Sequence, residues 1–572
     1  MNYSIDSVLR YCLAGCAVAC MATSAIAVTR YVDAPGNKVA PGQYSSISNA
    51  MAVLQPGDVL IIAPGVYREG INFPQGDWST TSSITVIKGG PGGSVVINAA
   101  DLVTGWTSAG NGVFYHTLPT ETAQVTVNGV QLAQIGGTVF AGYPLVATNP
   151  YATILSTDGG IWPGRINGDV SSLTIGSFYY DSTARRLYVR TSYADLNSQQ
   201  VEVSNRSHSL LAQNVNGLHV QNLTFLYGNT SPTGRDGLIT ITGNHDWLTN
   251  VSVQKADSVG IELDGNNNRI ASSNANYCGQ LGMKARGREM TMVNNVTNYN
   301  NTRGFNKNWE AGGVKFTGNG GLSNSTITGH TAIGNKGSGI WFDWGNTNNL
   351  IESNVSEYNT GFGIQYEASS GAQIIQNRTI GNSQRGIYLP SASLSMVRNN
   401  LVAGNGLEGI AVIDEGGTDP TGVVNMRPVG NTIVKNLIAW NGYALTVPGN
   451  EPIFVDQNTY VGQGIQLRLG NGWSQPFDAF VEWQQQIKLD THSTQVLLPI
   501  DPLFASSVRA QQTSPNLAWV QRLPATPATA LPVAAAAMLV TRYTQQTRGS
   551  RGRFHTMSPS PTGDTLTGQA AQ

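Results

Sequence analysis

Cysteine is nearly absent from this 572-residue chain. Of 4 cysteines, Cys12, Cys16 and Cys20 fall near the start and only Cys278 lies beyond them. A single thiol closes no intrachain disulfide, so a cystine-stapled fold is excluded and stability must come from packing. Cys278 also lacks the Cys/His spacing of a metal site and reads as a small buried apolar residue. Charge is scarce too: charged residues make up 12%, 33 basic against 34 acidic, which excludes the positive field of a nucleic-acid binder. Long apolar runs are missing. Residues 11–27 and 531–540 both fall short of the roughly 20 residues a helix needs to cross a bilayer, so no membrane span is expected.

The first of those runs follows Arg10 and ends in Ala25-Ile26-Ala27, the pattern of an export signal cleaved after Ala27. Leu13-Ala14-Gly15-Cys16 offers the alternative of a lipid anchor at Cys16, although only five residues separate Arg10 from Cys16. Either way the protein is expected to be secreted or periplasmic.

What the chain does have is glycine, 66 residues of it, and a phrase that glycine begins. The phrase reads Gly, aliphatic, variable, apolar. It occurs at Gly260-Ile261-Glu262-Leu263, Gly282-Met283-Lys284-Ala285, Gly313-Val314-Lys315-Phe316 and Gly339-Ile340-Trp341-Phe342. It returns at Gly363-Ile364-Gln365-Tyr366, Gly386-Ile387-Tyr388-Leu389 and Gly409-Ile410-Ala411-Val412. The glycines are 22, 31, 26, 24, 23 and 23 residues apart. Such a period, with apolar residues two apart inside each copy, predicts a parallel β-solenoid, which grows by adding coils. Asn354, Asn377 and Asn400 keep the same 23-residue step, as do Asn359, Asn382 and Asn405. They are expected at coil corners, in the left-handed geometry Asn tolerates, with stacked amides satisfying one another.

Around the repeats the pattern changes. Residues 47–55, stopped by Pro56-Gly57, predict a short amphipathic helix, and Val59-Leu60-Ile61-Ile62 a buried strand. Together they would cap the first coil, which otherwise exposes an apolar end and open strand edges. Residues 101–203 replace the coil pattern with aromatic-rich strands at irregular spacing, such as Phe178-Tyr179-Tyr180, and predict an inserted antiparallel β domain. Trp162-Pro163-Gly164-Arg165 falls in one of its loops. Residues 480–487 read as a closing helix, and from Pro515 the chain turns rich in Pro, Ala, Thr and Ser, a low-complexity tail. The expected organisation is a signal (1–27), a cap with the first coils (28–100), the insert (101–203), the solenoid (204–505) and the tail (506–572).

Side chains alternate across a strand, so the second and fourth residues of each phrase should face inward and the third and fifth outward. The outward pairs are then Glu262 and Asp264, Lys284 and Arg286, Lys315 and Thr317, Trp341 and Asp343, Gln365 and Glu367, Tyr388 and Pro390. Asp343 and Glu367 share a column in adjacent coils. Neighbouring strands are about 4.8 Å apart, close to the roughly 5–5.5 Å between the carboxyl groups of retaining glycosidases. Two carboxylates so close oppose joint ionisation, which raises one pKa and supplies a general acid. Trp341 and Tyr388 would stack on sugar rings, and Lys315 would bind a hydroxyl or steady the charge of Asp343. Glu310, in the loop entering the Lys315 strand, is either a third acid of the site or a loop acceptor.

The order of helix, Pro-Gly-Asp, strand and Pro-Gly-Val-Tyr over residues 47–67 resembles the N-terminal cap of secreted right-handed β-helix enzymes acting on polysaccharides. Trp309-Glu310-Ala311-Gly312-Gly313-Val314-Lys315-Phe316, Gly339-Ile340-Trp341-Phe342-Asp343-Trp344 and Gly363-Ile364-Gln365-Tyr366-Glu367 resemble the β-helix glycoside hydrolases. The closest likeness is to the β-xylosidase family with an inserted β-sandwich, with the β-helix fucosidase and xylanase families beside it. The fold class so implied is all-β, a right-handed parallel β-helix (a pectate-lyase-like solenoid) carrying an inserted antiparallel β domain. The resemblance also implies Asp343 as nucleophile and Glu367 as acid/base, with no cofactor and an oligo- or polysaccharide as partner. Glu310, Lys315, Trp341, Gln365, Tyr388, Lys284 and Arg286 would line the substrate. After Glu367 the chain reads Ala368-Ser369-Ser370-Gly371, without the His expected in that family, which leaves the sugar open. Two alternatives stand beside this one. A polysaccharide lyase or uronate epimerase would use Lys284, Arg286 or Lys315 as base, with Ca²⁺ on Asp264, Asp343 or Glu367. A non-catalytic carbohydrate binder would use Trp341 and Tyr388 as platforms.

Overall fold

A computed structural model describes residues 27–506 apart from 38–39, 81–82, 136–167, 231–235, 319, 419–424, 464–465, 471–475, 478–479, 501 and 503–505. The export signal with Cys16, the Trp162-Pro163-Gly164-Arg165 loop and the tail from Pro515 lie outside the described residues. Nearly every regular element is a β-strand, and most strands stack in parallel. A 13-stranded sheet runs from Thr29–Val32 to Ile453–Asp456. A 14-stranded sheet, which begins at Ile71–Phe73, bears the repeated phrase. The third side is a 5-stranded and a 7-stranded section, bridged at Val296. The architecture is the expected parallel β-helix with an antiparallel insert. Among the described residues no helix is long and apolar enough to cross a membrane.

The phrase explains itself once the coils are stacked. Its second and fourth residues, such as Val314/Phe316, Ile340/Phe342 and Ile364/Tyr366, are buried in one continuous core. Phe316, Phe342 and Tyr366 stack coil on coil, with ring centroids 4.4 Å and 5.3 Å apart. Cys278 lies in the same core, a free thiol whose pKa burial pushes up to about 12, so it is chemically quiet. The glycine is required by close approach: a Cβ on Gly313 would sit 2.4 Å from the carbonyl oxygen of Gly339, and one on Gly363 2.5 Å from that of Gly386. Any larger residue would push the next coil away.

The asparagines form ladders inside the wall. Asn354 Nδ2 donates to Asn377 Oδ1 at 3.0 Å, and Asn377 Nδ2 to Asn400 Oδ1 at 3.1 Å. The expected left-handed geometry falls one residue earlier, on Ser353 (φ 56°), Gln376 (58°) and Asn399 (57°). The reason is local. The preceding residue makes the corner, which aims the following Asn inward, where its amide can bridge coils.

At the N-terminus the helix is only Ile47–Met51, capped by Ser46, shorter than the sequence suggested because Ala52 to Gly57 continue as turns. At the other end helix Phe480–Gln486 lays Phe480 and Trp483 on the last coil, and Trp483 Nε1 donates to buried Asp490 at 3.1 Å. The insert leaves the wall at Ala100–Leu102 and returns at Val201–Ser204, and these two strands pair antiparallel. Its own core includes Trp106, Phe114, Phe178 and Leu187. Wholly buried Arg303 ties insert to solenoid, donating to Asp257 O at 3.1 Å, Ala123 O at 3.3 Å and Gln134 Oε1 at 3.2 Å. Arg303 opens the segment that runs to Trp309 and Glu310, so the insert bears directly on a cover of the phrase-bearing sheet.

Breaking a ladder should be costly. Asn382 accepts from the backbone and amide nitrogens of Asn359 and donates to Asn405 Oδ1 and Ser356 O. Asn382→Leu leaves those buried groups unmatched, and denaturant unfolding is expected to show a loss of roughly 2–4 kcal/mol.

Candidate active site

Strands Gly312–Phe316, Ser338–Asp343, Ile364–Glu367 and Ile387–Pro390 lie side by side. Lys315 pairs in register with Trp341, Trp341 with Gln365, and Gln365 with Tyr388. In the next outward column Asp343 pairs with Glu367. Asp343, its side chain 24% exposed, accepts from Lys315 Nζ at 2.9 Å and from Thr317 Oγ1 at 3.2 Å, both on Oδ2. Lys315 is itself held by the carbonyl of Trp309, and its Nζ lies 3.6 Å from the centroid of the Trp341 ring. A cation so clamped is a fixed countercharge for Asp343.

Glu367 lives in a different field. Its Oε2 accepts from Trp341 Nε1 at 2.9 Å and Gln365 Nε2 at 2.8 Å, and Gln365 Oε1 accepts from Ser338 Oγ at 3.3 Å. Burial, followed by the charge of Asp343, pushes the Glu367 carboxyl up to about 7, against the pull of the Trp341 bond and of Lys315. Glu415 adds to the rise. The repeat pattern does not mark Glu415, which follows strand Glu408–Ile413 and accepts from the Tyr388 hydroxyl. Its one sequence signal is an acidic pair, Asp414-Glu415, just after a phrase.

The outward columns are not an open face. Lys284 is buried between Glu262 at 3.0 Å and Glu310 at 3.9 Å, so Glu310 sits on the Lys284 coil. Arg286 pairs with Asp264 at 2.6 Å and stays 43% exposed. The expected sugar platforms are corrected. Trp341 is 5% exposed, with Lys315 on its ring and its N–H on Glu367. Tyr388 is 2% exposed between Arg385, 4.3 Å from its ring centroid, and Phe362, 4.8 Å centroid to centroid. The physical reason is that side chains of the surrounding coils lie on the rings, Lys315 on Trp341 and Arg385 and Phe362 on Tyr388. An exposed indole here is that of Trp344, directly after Asp343, whose backbone N–H donates to Glu367 O at 3.1 Å. Asp264, one of the Ca²⁺ ligands in the lyase alternative, lies three strands from Asp343 in the sheet order. Among the described residues no three His, Cys, Asp or Glu side chains gather as a metal-holding group.

Residues 237–402 match the family model described as right handed beta helix region. No curated protein matches the chain. Among solved structures, the complex of XylC with xylose is similar at 15% identity over 78% of this chain and 86% of that one, with a TM-score of 0.51. At that identity the likeness is one of fold. A glycoside hydrolase is similar at 12% identity, covering 84% of this chain and 98% of that one, TM-score 0.45. So is a mannuronic acid specific polysaccharide family 6 lyase from human gut microbiota, at 12% identity, 91% and 100% covered, TM-score 0.43.

The Glu367 environment carries a stability signature. A carboxyl raised from 4.5 to about 7 in the folded state binds more protons folded than unfolded between those values, so its contribution to stability falls as pH rises through that window. Glu367→Gln never ionises. The variant is expected to be more stable than the parent at pH 8, by roughly 1–3 kcal/mol, and little different at pH 4; thermal melts at the two pH values measure the difference.

Proposed function

We propose that this chain is an exported carbohydrate-active enzyme, a retaining glycoside hydrolase with Asp343 as nucleophile and Glu367 as acid/base. The observation that carries the reading is the paired register of Asp343 and Glu367 on adjacent strands, one held against a lysine and the other raised into the neutral range. Glu367, protonated near pH 7, gives its proton to the glycosidic oxygen as Asp343 Oδ1 or Oδ2 attacks the anomeric carbon. Trp341 and Gln365 then donate to the carboxylate so formed, which stabilises the charge that develops in the transition state. In the second step Glu367 takes a proton from water, water attacks the same carbon, and Asp343 leaves. Lys315 and Thr317 balance the charge of Asp343 at the start and end of the cycle.

The rival readings fit the geometry less well. A uronate lyase or epimerase needs positive charge for the sugar carboxylate, whereas Lys284, Arg286 and Lys315 are each matched by a carboxylate of the same face. A binder using Trp341 and Tyr388 needs ring faces that are covered here. The fold relative with bound xylose agrees with a sugar ligand.

Asp343→Asn and Glu367→Gln should each lower kcat by roughly 10³-fold or more, assayed on a panel of aryl glycosides and polysaccharides. Glu367→Gln should lose less on aryl glycosides whose leaving group needs no proton. NMR of the first product should show the retained anomer. Near-normal rates in both variants, or an unsaturated product absorbing in the ultraviolet, would falsify the assignment.

A further inference from the structure

We propose that Glu415 binds the leaving-group sugar through its hydroxyls and thereby selects an uncharged sugar on that side of the bond. This rests on the hydrolase reading above. Proton donation by Glu367 puts the leaving oxygen against that side chain, so the group that departs extends past it, away from Asp343. The next coil in that direction carries Tyr388, and the Tyr388 hydroxyl donates to Glu415 Oε1. Glu415 is exposed where Tyr388 is buried, so the contact fixes a solvent-facing carboxylate on a rigid base. The backbone is pinned too: Glu415 N–H donates at 2.9 Å to Ser391, a buried residue that follows strand Ile387–Pro390.

Glu415 is tied to the Glu367 coil through its neighbours: Tyr388, which holds Glu415, pairs in register with Gln365, and Gln365 donates to Glu367 Oε2 at 2.8 Å. Charged groups at this end include Asp414 beside Glu415, and Arg385 and Glu408, bonded to each other at 2.7 Å, with Arg468 3.7 Å from Glu408. A carboxylate held by one oxygen keeps the other for sugar hydroxyls, and its negative charge repels a uronate or a sulfated sugar.

The test compares two substrates of the same sugar: its aryl glycoside, with no sugar beyond the cleaved bond, and its homo-disaccharide. Glu415→Ala should lower kcat/KM on the disaccharide by ten-fold or more beyond any loss on the aryl glycoside, the scale of a hydrogen bond to a charged group. Glu415→Gln, which keeps an acceptor but drops the charge, should recover part of that ratio. It should also narrow the preference for a neutral over a uronic-acid leaving sugar. Equal losses on both substrates would overturn this assignment and leave the hydrolase reading intact. Turnover of neither substrate by the unaltered protein, across the panel of sugars, would overturn both.

Discussion

Everything in this molecule depends on parallel strands stacking in register. The stacking places each side chain directly over its equivalent one coil away, inside and out. A slip of one residue would turn Phe342 toward solvent and Asp343 into the core. Two devices prevent it. The glycine of each phrase lets the next coil approach to contact distance, and the asparagine ladders bond coil to coil through buried amides. The pairing of Asp343 with Glu367 is thus an outcome of packing several residues away, fixed before any substrate arrives.

On that frame several carboxylates of the charged face meet a cation one coil away. Glu262 meets Lys284, Asp264 meets Arg286, Asp343 meets Lys315, and Glu408 meets Arg385. Glu367 instead receives two neutral donors, Trp341 and Gln365. Burial raises the carboxyl pKa of Glu262 and Asp264 even against the pull of Lys284 and Arg286, and it raises that of Glu367, helped by the charge of Asp343, to about 7.

Much of this was legible in the sequence, and what was not has a common cause. Periodicity gave the coils, the inward core and the column shared by Asp343 and Glu367, because a parallel sheet converts equal position in a repeat into proximity. It also marked Lys315 as the neighbour of Asp343. It misjudged Trp341 and Tyr388 because alternation along one strand does not say which side chain of the surrounding coils will lie on an outward ring, here Lys315 on one and Arg385 with Phe362 on the other. Residues 303–310 bring Trp309 and Glu310 over one end, and the segment after Ile413 brings Glu415 over the other. The corner residues were displaced by one because stacked amides and left-handed turns occupy neighbouring positions, and spacing alone cannot separate them. The insert was visible as a break in period, but its grip on Arg303 was not, since that contact joins positions far apart in sequence.

Coil stacking also bears on how such chemistry could diverge. Asp343 and Glu367 stand one strand apart, about 4.8 Å. A duplication that added one whole coil between them would conserve the core, the glycines and the ladders, since each coil presents the same surfaces above and below. The two acids would then stand two strands apart, about 9.6 Å, at the far edge of the roughly 6.5–9.5 Å that leaves room for a water between nucleophile-side base and acid. On the hydrolase reading proposed above, the spacing of the two acids, and with it the stereochemical outcome, would change in whole-coil steps. A single unequal recombination could move a lineage from retention to inversion without altering either carboxylate.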